Sequence, residues 1–225
     1  MKPARIAAAL ALVFGAVVAP AHADTVYWTD WTSKTAGNPG SAAGTIAFPG
    51  STVGVRYSGE IFLAGDQGNW NQQVATYTEP GIVDNQPAPY NVSIQLRGNT
   101  STKDTITFST PVYNPVMAIQ SLGQGGDQAV YVFDQPFTIV SSGPGHWGGG
   151  GPGSFVQSGN SLIGKEGNGL IQFYGMYSSI SWTANDGENY HMFTIGAPVP
   201  EPETYAMMLA GLGALGAVAR RRRKQ

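Results

Sequence analysis

The sequence predicts an all-β protein: an antiparallel β-sandwich of jelly-roll-like type, with an N-terminal signal peptide and a single C-terminal transmembrane helix. Three observations carry this prediction. Across residues 24–198 apolar residues recur with a period of two; glycine and proline, 31 and 15 in the chain, punctuate those runs; and each terminus holds an uncharged apolar stretch flanked by cations. No stretch of the body longer than about ten residues carries a helical apolar stripe with matching caps.

In chain order, residues 1–23 form the signal peptide. Lys2 and Arg5 make a positive start, Ile6 to Val18 is an apolar run of 13 residues, and Ala21-His22-Ala23 supplies small residues at the −3 and −1 positions of a cut before Asp24. The apolar run is too short to remain as an anchor, so the chain is expected to be exported.

The body, 24–198, follows. Val92, Ile94 and Leu96 alternate with polar neighbours, as do Ile106 and Phe108, and Ile180 and Trp182. Each such segment is a strand with one dry face. Further strands are expected over residues 52–57, 60–64, 116–120, 129–133, 137–140, 169–174 and 191–195. About ten short strands separated by turn residues suit a two-sheet sandwich, and no internal repeat points to a propeller or solenoid.

Two segments break the rhythm. In residues 141–153 seven of thirteen residues are glycine, which predicts a mobile loop; Trp147 within it is either a tether onto the sandwich or an exposed ring. Residues 66–73 are a polar stretch centred on Trp70. An aromatic face beside amides suits hydroxyl-rich ligands, so Trp147 and Trp70 are the candidate glycan contacts, with an ordinary loop as the alternative for each.

Composition excludes several function classes. The body carries five lysines and arginines against twelve acids, a formal −7, so a basic nucleic-acid footprint is missing and no nucleic-acid partner is expected. With no cysteine in the chain, packing alone must hold an exported domain together, and thiol chemistry is ruled out. No Gly-x-Ser-x-Gly elbow is complete, and His146 and His191, 45 residues apart with no helical pairing, make a poor zinc site. His191 is expected on the polar face of the last strand. Twelve scattered acids do not define a glycosidase pair, so no catalytic residue is assigned and the body is read as non-enzymatic. Calcium is the one cofactor considered. Asp186 and Glu188 in the turn 185–189, together with Asp127, are its candidate ligands, although neither place has EF-hand spacing and Asn185-Asp186-Gly187 equally suits a hairpin turn. Asn91-Val-Ser and Asn99-Thr-Ser match the glycosylation pattern, a match short enough to arise by chance.

The tail, 199–225, has three parts. Val199-Pro200-Glu201-Pro202 is extended backbone, because proline fixes φ and lacks an N–H, which is a form that a processing enzyme grips. Residues 205–219 carry no charge and would make a helix of roughly 22 Å. That is short against a hydrocarbon core of about 30 Å, so spanning requires local thinning and snorkelling cations. Arg220, Arg221, Arg222, Arg223 and Lys224 stop the span and set the C-terminus on the cytoplasmic side.

Motif, helix and basic end, in this order at the terminus, resemble the PEP-CTERM sorting signal of Gram-negative bacteria. The resemblance rests on Val199, Pro200, Glu201 and Pro202, the Leu209/Gly211/Leu212 stretch and the terminal arginines, and covers about an eighth of the chain. It implies an exosortase as partner, cutting near Pro-Glu-Pro, with transient anchoring in the inner membrane and then a cell-surface or extracellular location. The alternative is a plain tail anchor. Residues 114–196 also resemble, more weakly, a domain found in such proteins; the quoted segments include Asn114 to Gly123 and Ser178 to Trp182. For the released body the resemblance implies a structural place in an exopolysaccharide or biofilm matrix; a carbohydrate-binding module and a secreted hydrolase are the competing readings.

Overall fold

The computed structural model describes residues 25–64, 68–89, 93–124, 126–151, 153–185, 188 and 190–199, with Gly211, Gly213 and Arg220 as isolated helical positions. The signal peptide and nearly all of the tail therefore lie outside the described residues. Among the described residues no helix is long and apolar enough to cross a membrane, and the predicted span over 205–219 falls almost wholly outside them.

The described residues form fourteen strands: β1 (Val26–Trp28), β2 (Asp30–Thr35), β3 (Gly37–Phe48), β4 (Ser51–Ile61), β5 (Ile94–Leu96), β6 (Lys103–Tyr113), β7 (Val116–Leu122), β8 (Ala129–Phe133), β9 (Thr138–Ser142), β10 (Phe155–Ser158), β11 (Ser161–Gly164), β12 (Gly167–Gln172), β13 (Met176–Asn185) and β14 (His191–Pro198). They make two antiparallel sheets. One runs β1-β14-β7-β12-β9, with β5 also pairing β14; the other runs β10-β11-β8-β13-β6-β4-β3-β2. From β4 onward the chain passes from sheet to sheet at almost every connection, which ties the two layers together through sequence-distant contacts.

The eight-stranded sheet shows the expected alternation. Val53, Val55 and Tyr57 of β4 point into the sandwich, as do Ile106 and Phe108 of β6 and Ile180 and Trp182 of β13. The strand count exceeds the ten or so expected because β1 to β3, β10 and β11 carry weak signals. In β3 the inward positions are Gly40, Ala42, Gly44 and Ile46, small residues that do not announce a strand. Packing dictates two of them: a Cβ on Gly40 would lie 2.6 Å from the Thr35 carbonyl oxygen, and one on Gly44 would lie 2.3 Å from that of Asp30. Strand β2 thus approaches β3 as only glycine allows.

The six-stranded sheet differs. Every residue of β7, β12 and β14 is buried, on both faces. Met117, Ile119, Ile171, Phe193 and Ile195 fill the space between the sheets. Val116, Ala118, Leu170 and Met192 point the other way, into a second cluster with Val26, Trp70, Tyr77 and Val83. The long connection between β4 and β5, with 3-10 turns at Trp70–Gln72 and Val74–Thr76, supplies that cover. Trp70 stacks edge-on against Tyr77 at 4.9 Å and has no exposed surface. The polar stretch around it is the lid of a second core.

At the centre of the main core Phe133 makes edge or tilted contacts with Tyr131, Phe137, Phe173 and Trp182, all within 5.9 Å between centroids. With no disulfide, this aromatic cluster and the aliphatic residues around it must supply the cohesion. Phe133→Ala is expected to cost about 3–5 kcal/mol, read as a fall in the chemical-denaturation midpoint; a loss below about 1 kcal/mol would show that the cluster is not the centre of the core.

Candidate functional site

Three places gather chemistry-bearing residues: the corner where the tail leaves, a rim around Trp147, and a buried acid cluster.

At the corner, β14 stays in its ladder to its final residue. Pro198 pairs with Val26, Ala197 with Tyr27 and Gly196 with Trp28. The start of the body is fixed at the same place: Asn85 accepts a hydrogen bond from the Val26 amide (2.8 Å) and donates one to its carbonyl (2.9 Å), while Thr25 donates to Asp84 (3.0 Å). The signal cut expected at Ala21, Ala23 and Asp24 and the motif Val199-Pro200-Glu201-Pro202 therefore flank two adjacent strands. Val199 is 37% exposed. Pro200, Glu201, Pro202, Arg221, Arg222, Arg223 and Lys224, like Ala21, Ala23 and Asp24, lie outside the described residues; Arg220 is helical.

The rim is built on the glycine-rich loop, which the structure holds in place rather than leaving to mobility. Gly145 and Gly148 exchange two backbone hydrogen bonds (3.1 and 3.2 Å), the Gly150 amide donates to Glu166, Asn168 donates to Gly148, and Thr76 donates to Pro144. Two of its glycines are steric requirements. Gly150 has φ +73° and a Cβ there would lie 1.8 Å from the Gly143 carbonyl oxygen; Gly149 has φ +71° and its Cβ would collide with Glu166. Trp147 stands on this base, 41% exposed, between Tyr190 (5.2 Å) and His146 (4.8 Å), both edge-on. His146 Nδ1 shares a 2.5 Å hydrogen bond with Gln72. Glu166 accepts from Ser121 (2.5 Å), and burial raises its pKa, an effect the serine opposes and Glu188 reinforces. Of the two tryptophans assigned to glycan contact, Trp147 has the exposed face and Trp70 does not, because the outer face of the six-stranded sheet needs its ring.

The acid cluster lies between the sheets. Asp104, with no exposed surface, accepts hydrogen bonds at Oδ1 from the Tyr57 hydroxyl (2.6 Å) and the Glu60 amide (2.8 Å), while its Oδ2 has no partner. Burial raises its pKa from the ordinary 3.8 to about 6, against the lowering effect of those two donors. Burial likewise pushes the Tyr57 and Tyr131 hydroxyls up. Glu60 accepts from the Gly98 amide (2.8 Å). Tyr131 meets the ring of His191 at 5.2 Å, and His191 Nδ1 bonds Glu188 Oε1 at 2.8 Å.

This geometry corrects two expectations. His191 is fully buried, not on a polar face, because β14 is covered on both sides. Glu188, drawn as a calcium ligand, has a side chain only 3% exposed, and its Oε1 is taken by His191 and by the Gly123 amide at 2.6 Å, so it faces inward and fastens a turn. Asp127 is joined to Gln124 by two backbone hydrogen bonds and a 3.3 Å side-chain contact; Asp186 lies outside the described residues. Among the described residues no group of three or more histidines, cysteines and acids is placed to hold a metal. Sequence reasoning misses Asp104, Glu60 and Tyr131. A signal for the first exists: Asp104 shares the parity of Ile106 and Phe108 and so has to point inward.

The C-terminal segment, and not the fold, marks an exported surface protein that carries its own processing signal. Residues 198–224 match the PEP-CTERM protein-sorting motif, a signal that targets the chain to exosortase and implies export to the cell surface or the extracellular space. The match leaves residues 1–197 outside it. Neither a curated protein nor a solved structure matches the chain.

Two outcomes follow from the site geometry. A raised carboxyl pKa stabilises the fold fully below the unfolded value of about 3.8, and this contribution is lost as pH rises through about 6. Asp104→Asn keeps the Oδ1 acceptor and removes the titration. Between pH 4 and 6.5 the wild type should therefore lose about 2 kcal/mol more stability than the variant. Parallel curves would contradict the assignment. In fluorescence quenching by iodide, Trp147→Phe should remove the larger part of the accessible component, since Trp31, Trp70 and Trp182 are buried and Trp28 is half-buried; unchanged quenching would place the exposed ring elsewhere.

Proposed function

We propose that the body is a structural, non-catalytic component of the exopolysaccharide or biofilm matrix. It is held in the inner membrane by the helix over 205–219, with Arg220 to Lys224 on the cytoplasmic side, until exosortase cuts near Pro200-Glu201-Pro202. The observation that carries this reading is the sorting motif, which begins where β14 ends. A cysteine-free sandwich with a doubly covered sheet suits a protein that must persist outside the cell, and the engagement of Asp104, Glu60 and Glu188 in internal hydrogen bonds supports a passive role.

A second reading rests on the rim. An exposed indole next to Tyr190, Gln72 and Glu166 offers a sugar ring one stacking face and nearby hydrogen-bonding groups, which would let a glycan recruit the body through Trp147. Sedimentation of the mature protein with the exopolysaccharide of its host separates these. Retention is expected with polysaccharide-producing cells and not with a strain that makes none, and Trp147→Ala should leave it unchanged. Loss of retention on that single substitution would transfer the function to the rim, and equal release from both strains would contradict a matrix role.

A further inference from the structure

The tail leaves the body beside an apolar groove of about 230 Å³. Its walls are Phe48, Pro49 and Val53 around the β3–β4 turn, Pro111 near the end of β6, Met176 at the start of β13, and Pro198 and Val199 where β14 ends. None of the described residues lining it is charged. Met176 is 62% exposed, the most open large apolar side chain among the described residues, and Tyr174 close by is 55% exposed. The body carries five cations and twelve acids, and none of them is among the described residues that line this groove.

Chain length makes the location consequential. Pro198 is fixed in the ladder opposite Val26, and Pro200 follows two residues later, at most about 7 Å away in extended backbone. An enzyme that holds Pro200-Glu201-Pro202 in its active site has no spacer behind which to stand clear of the body. Its surface must come down over the groove, and removing apolar surface from water there favours the encounter.

We propose that this groove is a docking surface for exosortase itself, an apolar patch of the enzyme flanking its active site, so that the body as well as the motif is read during processing. This rests on the exosortase reading above. The expected consequence is that processing depends on the exposed wall of the groove only while the motif stays close to it.

The test follows conversion of the full chain to its shortened form in the native host by pulse-chase. Met176→Asp should slow conversion about tenfold, roughly the effect of losing one well-buried apolar contact, and Met176→Leu should convert at the wild-type rate. Because the side chain is exposed, the thermal midpoint of the mature Met176→Asp protein should stay at the wild-type value. A ten-residue Gly-Ser spacer between Val199 and Pro200 should abolish the difference between the wild-type and Met176→Asp chains. Equal conversion of wild type and Met176→Asp, or a defect that persists with the spacer, overturns the docking surface while leaving exosortase processing intact. Binding of the mature body to phosphatidylglycerol vesicles, lost on Met176→Asp, would assign the groove to lipid and overturn it too. A wild-type chain that exosortase does not shorten overturns both inference and underlying reading.

Discussion

Strand β14 has to be paired along both edges and covered on both faces, and most of the architecture follows from meeting that demand. Its eight residues are all buried. Strand β7 takes one edge, while β5 and β1 divide the other between them. One face packs into the sandwich through Phe193 and Ile195; the other needs Trp70, Tyr77 and Val83 from the long β4–β5 connection. A strand buried in this way is a firm last strand of the described body, and the sorting motif starts as it stops. Local unfolding at such a junction is costly, so the processing enzyme meets an ordered body up to the edge of its substrate segment.

Much of this is legible in the residues and some is not, for identifiable reasons. Strand β8 is predicted over 129–133 and forms over those residues, because Ala129, Tyr131 and Phe133 alternate cleanly with exposed or half-buried neighbours. Strand β3 is invisible in the sequence: its inward positions are mostly glycine and alanine, whose role is to let β2 come close, and close approach leaves no hydrophobic signature. The double burial of β7 and β14 erases the alternation on which a polar face for His191 depends. Trp70 misleads for a related reason. Its polar neighbours describe the outer surface of a lid, and a lid's inner surface is set by the sheet beneath it, which local sequence does not reveal.

The acid cluster shows a different limit. Asp104, Tyr131, the pair Tyr57 and Glu60 and the pair Glu188 and His191 come from four places far apart in sequence, and only the crossing of the chain between sheets brings them together. Single-residue parity places Asp104 inside; it says nothing of what it meets there. Burial of a carboxylate with one unpartnered oxygen costs stability near neutral pH, and the aromatic core around Trp182 and Phe133 has to offset it. The tail is the opposite case. Its motif, apolar run and basic end are contiguous, so the sequence alone carries the resemblance that the sorting-motif match bears out.

The central claim is that this chain is exported, cut at its tail and released as a β-sandwich. Intact mass and location of the protein in its native host, with and without exosortase, test it most directly. With the enzyme present, the account predicts a species that begins at Asp24, ends close to Pro200-Glu201-Pro202 and lies outside the inner membrane; without the enzyme, a longer species should stay in that membrane. A species that keeps Arg220 to Gln225 in the inner membrane under both conditions would contradict it.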